Sequence, residues 1–262
     1  MRSLARFAIR FLIVFSLTAP GVAQEAEEHA HPPAAAEGLG RAHMEISCSP
    51  AVATKFDRGL ALLHNFWYSR ALEGFRQVST DDPECAMSYW GAAMTYNHPF
   101  WDAPSSADET AAWGLVQKGL AAKKMSPREK LYVNAVAALF KDGGAGPKAA
   151  RDEGYRDAMA NTYGGFPDDE TKLFYGLAIL GTIREGTKGF DRQAQAAKLF
   201  EEVYAHSPDH PGALHYLIHL YDDPAHAQQG LGVPPEAKTS LGDGCKPSLG
   251  VITLKVSTSL PA

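Results

Sequence analysis

Apolar residues recur along most of this 262-residue chain at the three- and four-residue spacing of an α-helix. The first clear case is the segment 52–66, where one helical face carries Val52, Phe56, Leu60, Leu63 and Phe66. A second helix is predicted over 68–80, and seven further segments of the same character follow as far as residue 221. The pattern therefore predicts an all-α fold of about nine helices.

Small, aromatic and proline residues recur at fixed spacing in two parts of this helical region. The first set is spaced by 12, 4 and 8 residues and consists of Gly59, Ala71, Phe75 and Pro83. The second repeats the last two spacings at Ala196, Phe200 and Pro208. A small residue allows two helices to approach closely, residues four apart share a helical face, and proline ends a helix. This spacing is typical of a stacked two-helix repeat.

The pattern resembles the tetratricopeptide repeat (TPR) family. The segments Leu-Leu-His-x-Phe-Trp-Tyr at 62–68 and His-Pro-Gly-Ala-Leu-His-Tyr-x-x-His at 210–219 resemble exported bacterial proteins of this kind. The resemblance covers roughly 46–229 and implies a right-handed α-solenoid of antiparallel helix hairpins. It also implies a scaffold that holds a peptide or protein partner on its concave face.

The N-terminus has the composition of a secretory signal peptide. Arg2, Arg6 and Arg10 precede an apolar run over 11–17, and small residues follow at 21–23. The run is too short to cross a bilayer, which takes about 20 residues. We therefore expect cleavage after residue 23, no membrane span in the mature chain, and a periplasmic or secreted protein. The alternative is an uncleaved N-terminal anchor.

Composition divides the rest of the chain into three parts. Residues 24–50 are predicted to be a flexible linker, since 24–44 are rich in Ala, Pro, Glu and His. Residues 51–229 form the predicted repeat domain. Residues 230–262 carry helix-breaking prolines and glycines and are predicted to be an irregular or disordered tail. Because similar proteins continue into more repeats, a truncated fragment of a longer repeat protein is an alternative.

The charge of the chain argues against some classes of partner. The whole chain has 25 basic and 30 acidic residues. Cleavage of the leader would remove three arginines and no acidic residue, so the mature chain would have 22 basic and 30 acidic residues and a formal charge of −8. An acidic protein without a basic block is a poor ligand for nucleic acids or anionic membranes.

The chain has three cysteines, Cys48, Cys85 and Cys245. If the protein is exported, it enters an oxidising compartment in which they can form disulfides. Cys48 precedes the first predicted helix and Cys85 follows Pro83 at the end of the second, so a hairpin returns both to the same end. We therefore predict a Cys48–Cys85 disulfide. Two separately buried thiols are the alternative, and Cys245 remains unpaired.

Histidines are the main candidates for chemistry. His215 and His219 lie four residues apart, a spacing by which one helix offers two metal ligands. His64 and His98 lie on other predicted helices, and His210 precedes the pair. One hypothesis is therefore a metal-dependent protein or enzyme that holds a divalent transition metal, with His64, His98, His215 and His219 around one ion. Structural histidines, buried or at the surface, are the alternative.

Aromatic residues follow two of these histidines and extend the candidate ligand-binding groove. Its predicted residues are His64, Trp67, Tyr68, His98, Trp101, His215 and His219. Core packing is the alternative for the tryptophans. No glutamate lies between His215 and His219 to act as a general base, and the chain has no Cys-x-x-Cys or Gly-x-Ser-x-Gly motif. These motifs give no support for an enzyme, and the resemblance to the TPR family implies a binding scaffold instead.

Overall fold

The computed structural model describes residues 38–100, 103–184 and 186–221, and within these ranges the chain is helical without β-strands. The predicted all-α class is confirmed for this part of the chain. A short 3-10 helix, Pro50–Val52, precedes nine α-helices in the described ranges. These are α1 Ala53–His64, α2 Tyr68–Asp81, α3 Ala86–Met94, α4 Ser106–Ala121, α5 Pro127–Gly144, α6 Lys148–Gly165, α7 Asp169–Leu180, α8 Asp191–His206 and α9 Pro211–Leu220.

Several helices begin at residues that satisfy the free N–H groups of a first turn. Ser105 and Ser126 each form a capping box with the acidic residue three positions later. Asp168 caps α7 by accepting a hydrogen bond from the Thr171 N–H. Pro211 occupies the first position of α9, where its missing N–H costs nothing. Local sequence thus fixes the starts of α4, α5, α7 and α9.

The repeated glycine and phenylalanine positions mark close helix contacts. Consecutive helices pack against one another along the chain, and α1 also contacts α3 and α9. The Phe75 ring of α2 fills the space between Gly59 of α1 and Gly91 of α3. A Cβ atom would lie 3.1 Å from this ring at Gly59 and 2.5 Å from it at Gly91. Gly176 of α7 meets Phe200 of α8 in the same way.

We predict that Gly91→Ala destabilises the fold by about 1–3 kcal/mol, because the added methyl group overlaps the buried Phe75 ring. The matched control is Gly114→Ala in α4, where a Cβ atom has no neighbour within 4 Å. This control gains up to about 1 kcal/mol of helix propensity. Urea unfolding of the two variants measures the difference, and equal midpoints would contradict the proposed close contact.

The described part of the stretch 24–50 packs against the helices. Leu39, Ala42 and Met44 are buried in the core. The Arg41 N–H donates to the Asp209 carbonyl at 3.0 Å, just before α9 begins. The Asn65 amide donates to the Leu39 carbonyl at 3.0 Å. Buried side chains at 39, 42 and 44 and these two hydrogen bonds thus hold the segment against the helices, ahead of the predicted domain boundary at residue 51.

Cys48 and Cys85 lie at disulfide distance, with their sulfur atoms 1.99 Å apart. The bond joins the chain before α1 to the residue that precedes α3. The predicted signal peptide over 1–23 and the whole of the predicted tail over 230–262, which contains Cys245, lie outside the described residues. Among the helices that are described, none combines the length and apolar character that a membrane span requires.

Candidate metal centre

Three side chains with metal-ligating atoms meet where the ends of three helices converge. His64 is the last residue of α1, Glu170 lies in the first turn of α7, and His210 is the N-cap residue just before α9. All three are buried, with exposed fractions of 0%, 3% and 5% respectively. We call them the His64–Glu170–His210 cluster. The contacts of α9 with both α1 and α7 bring them together.

The Glu170 carboxylate is shared between the two imidazole rings of the cluster. Its Oε2 lies 2.8 Å from His64 Nε2, and its Oε1 lies 3.0 Å from His210 Nε2. One ligand atom from each of the three residues lies within 4.8 Å of the others. Two imidazoles and one carboxylate in this proximity form a donor set that suits transition metals such as zinc, nickel or iron.

The second nitrogen of each ring is also held in place. His64 Nδ1 lies 2.8 Å from the Tyr216 hydroxyl. His210 Nδ1 accepts a hydrogen bond from the Gly212 N–H at 3.1 Å, so its Nε2 must carry the proton that Glu170 accepts. A hydroxyl can donate or accept, so the tautomer of His64 is adjustable while that of His210 is fixed. Such outer contacts set ring orientation in metal sites.

Burial and hydrogen bonding determine the ionisation of the cluster. Burial opposes the charged form of Glu170, but its interactions with His64 and His210 outweigh this and lower its pKa to about 2. Burial is also the main reason why the pKa of His64 is lowered. The cluster therefore offers an ionised carboxylate and a neutral His64 imidazole, which are the forms that bind metals.

Glu170 also lines a surface cavity of about 720 Å³. Three further carboxylates border the cavity, from Glu45, Asp168 and Asp169, against the single guanidinium of Arg128. Arg128 forms a two-point contact with Asp168, with N–O distances of 2.7 and 2.9 Å. The excess of carboxylates makes this cavity favourable for cations.

The predicted histidines separate into different groups. His215 Nδ1 donates to the His64 carbonyl at 2.9 Å, and His215 Nε2 lies 3.0 Å from His219 Nε2. His98 donates through Nε2 to the Thr95 carbonyl at 3.0 Å and stacks on Tyr68 at 4.3 Å. The His64 side chain instead bonds to Glu170 and Tyr216. The described contacts thus pair His64 with His210, and His215 with His219.

Of the remaining residues of the predicted groove, two are described by the structure and one is not. Trp67 and Tyr68 are half-buried beside the core, and the Arg70 guanidinium lies 5.5 Å from the Trp67 ring. Trp101 lies outside the described residues. The sequence analysis did not identify Glu170 or Tyr216 as site residues. Glu170 contacts His64 Nε2, and the Tyr216 hydroxyl contacts His64 Nδ1. The available signal for Glu170 was an acidic residue in the first turn of α7, three positions before the apolar run that begins at Leu173.

Comparisons of the chain with protein-family models, curated proteins and solved structures found no match. The argument for function therefore depends on the geometry of the chain itself. The His64–Glu170–His210 cluster is the group of three or more metal-ligating side chains found within the described residues.

Proposed function

We propose that this protein binds one divalent transition-metal ion at the His64–Glu170–His210 cluster. The observation that carries the proposal is the convergence of three buried ligand atoms within 4.8 Å, from helices far apart in the sequence. An imidazole-rich set with a single carboxylate favours zinc, nickel, cobalt or iron over magnesium or calcium, which prefer oxygen ligands. The acidic cavity beside Glu170 provides an entry path.

Metal binding would replace the hydrogen bonds that now hold the cluster together. His64 can move its proton from Nε2 to Nδ1, where the Tyr216 oxygen accepts it. His210 must give up its contact with the Gly212 N–H, since Nδ1 would then carry the proton. Each of these steps moves a proton within one ring and releases none, so acid weakens binding only when it protonates the imidazoles or the Glu170 carboxylate.

The same geometry supports a finer description of the fold. We propose a right-handed α-solenoid of antiparallel helix hairpins, similar to the TPR family. The support is the sequential packing of neighbouring helices and the repeated contact of glycine with phenylalanine. We also propose export to the periplasm or beyond, for which the leader sequence and the Cys48–Cys85 pair are the supporting observations.

A second candidate function is recognition of a peptide or protein partner. The 720 Å³ cavity favours it, because its carboxylates would attract a segment rich in Lys or Arg. A peptide bound there would occupy the cavity that Glu170 lines, so it would compete with metal entry through this cavity.

The test of the metal site is the Glu170→Gln variant. Glutamine keeps the shape of the side chain: its oxygen can accept from His210, and its amide can donate to His64 after the His64 proton moves to Nδ1. The fold should therefore persist while the anionic ligand is lost. After incubation with Zn²⁺ or Co²⁺ and dialysis, we expect wild-type protein to retain one equivalent of metal more than the variant.

The matched control is Asp152→Asn, which alters another buried carboxylate. Asp152 is 5% exposed and pairs with Lys148 and Arg184, with no histidine contact. It should retain as much metal as the wild type. Equal metal content in Glu170→Gln and the wild type, with both proteins folded by circular dichroism, would reject the site.

A further inference from the structure

A second pair of imidazoles lies next to the His64 main chain, because His215 Nδ1 is 2.9 Å from the His64 carbonyl oxygen. His215 and His219 occupy successive turns of α9, and their Nε2 atoms lie 3.0 Å apart. His215 is 1% exposed, whereas His219 is only partly buried. The pair therefore combines one fixed nitrogen with one that is closer to the surface.

The tautomer of His215 is determined by its contacts. Its Nδ1 must carry a proton, because the His64 carbonyl at 2.9 Å can only accept. His215 Nε2 lies 3.0 Å from His219 Nε2, a distance at which one nitrogen donates its proton to the lone pair of the other. Donation of the distal N–H to a backbone carbonyl is the usual outer contact of a metal-bound histidine.

Aromatic rings restrict the orientation of both imidazoles. The Phe66 ring lies 4.3 Å from the His215 ring and 5.7 Å from the His219 ring. Phe100 stacks on His219 at 5.0 Å. Phe66 adopts a positive φ of 58°, which is uncommon for a bulky residue, and this backbone places its ring against the pair. The two nitrogens are thus held in a defined relation before any ion arrives.

The spacing of the nitrogens selects a class of metal. With metal–nitrogen bonds of about 2.0–2.1 Å, two nitrogens 3.0 Å apart subtend roughly 95° at the ion. This angle is close to that between adjacent ligands of a tetragonal ion and smaller than the tetrahedral angle that structural zinc prefers. Tetragonal nitrogen sites are typical of Cu²⁺ and Ni²⁺.

We propose that His215 and His219 form a second metal site, which binds Cu²⁺ or Ni²⁺ through the two Nε2 atoms. His219 would move its proton to Nδ1, which leaves both Nε2 lone pairs available to the ion. The pair supplies two ligands on one edge of the ion, so the ion can take further ligands from solvent or from a small molecule. This site is independent of the proposed metal ion at the His64–Glu170–His210 cluster.

The test uses Cu²⁺ and the full-length mature chain. Electron paramagnetic resonance of the copper-loaded protein should show coupling to imidazole nitrogens, and His219→Ala should weaken Cu²⁺ binding at this site by at least about tenfold. His206→Ala is the matched control, because His206 also ends a helix but is exposed and pairs with Asp169 at 2.8 Å. It should bind Cu²⁺ as the wild type does.

Two further variants separate this site from the buried cluster. Glu170→Gln should keep the copper signal that His219→Ala loses, and His219→Ala should keep the Zn²⁺ or Co²⁺ that Glu170→Gln loses. His219→Gln repeats the test with a polar side chain in case alanine perturbs α9. Copper binding by both His219 variants that equals that of His206→Ala would overturn the second site and leave the first unaffected.

Discussion

Glu170→Ala is expected to lower the free energy of unfolding by about 3–5 kcal/mol, because it removes one partner from a buried, charged hydrogen-bond network. The Nε2 groups of His64 and His210 would lose their shared acceptor inside the protein. His64 can compensate in part by changing its tautomer, but His210 cannot while Gly212 donates to its Nδ1. Urea denaturation of the metal-free protein measures the loss.

Two controls identify the cause of this effect. Glu170→Gln preserves acceptor and donor capacity and should cost clearly less than the alanine variant. Glu202→Ala removes an exposed carboxylate that pairs with Lys172 at 3.1 Å, and it should cost no more than about 1 kcal/mol. If Glu170→Ala were no more destabilising than Glu202→Ala, the cluster would not hold the three helix ends together.

Loss of the Cys48–Cys85 disulfide is the second large effect that we expect. The bond closes a loop with a sequence separation of 37 residues, and the chain-entropy model assigns such a loop a stabilisation of about 4 kcal/mol. The Cys48→Ala/Cys85→Ala double variant should therefore unfold at a clearly lower urea concentration than the oxidised wild type. Cys85 is 1% exposed, so alanine is a better replacement than serine.

Reduction provides the internal control for the disulfide. Reductant should shift the unfolding midpoint of the wild type toward that of the double variant, and it should leave the double variant unchanged. Cys245→Ala in both backgrounds removes any contribution from the third cysteine. A wild type whose midpoint does not respond to complete reduction would show that the loop is stabilised by packing alone.

Much of the helical architecture could be predicted from the sequence, because each helix buries one face and so shows its period in the chain. The segments predicted at 52–66 and 68–80 correspond to α1 Ala53–His64 and α2 Tyr68–Asp81. The spacing of Gly59 and Phe75 likewise corresponds to a contact between these helices. The disulfide pairing followed from the same hairpin. The solenoid arrangement and the TPR resemblance stay predictions.

The candidate site was harder to predict from the sequence, because residue spacing shows which residues share a helix but not which helices pack together. The His215–His219 pair could be predicted, since both residues lie on α9. The partner of His64 could not, because Glu170 is 106 positions away and its first-turn position is that of an ordinary capping acid. The His98 side chain hydrogen-bonds instead to the carbonyl of Thr95, three residues earlier in the chain.

The contacts that build the cluster join opposite ends of the described chain. The Arg41 guanidinium reaches Asp209 across 168 positions, and the His64 ring reaches the Tyr216 hydroxyl across 152. Contacts of such long range pay the largest loop-closure entropy and are slow to form. During folding, the histidines of the cluster would therefore stay apart until α9 packs against the other helices. The proposed metal site would therefore be complete only after α9 has packed against α1 and α7.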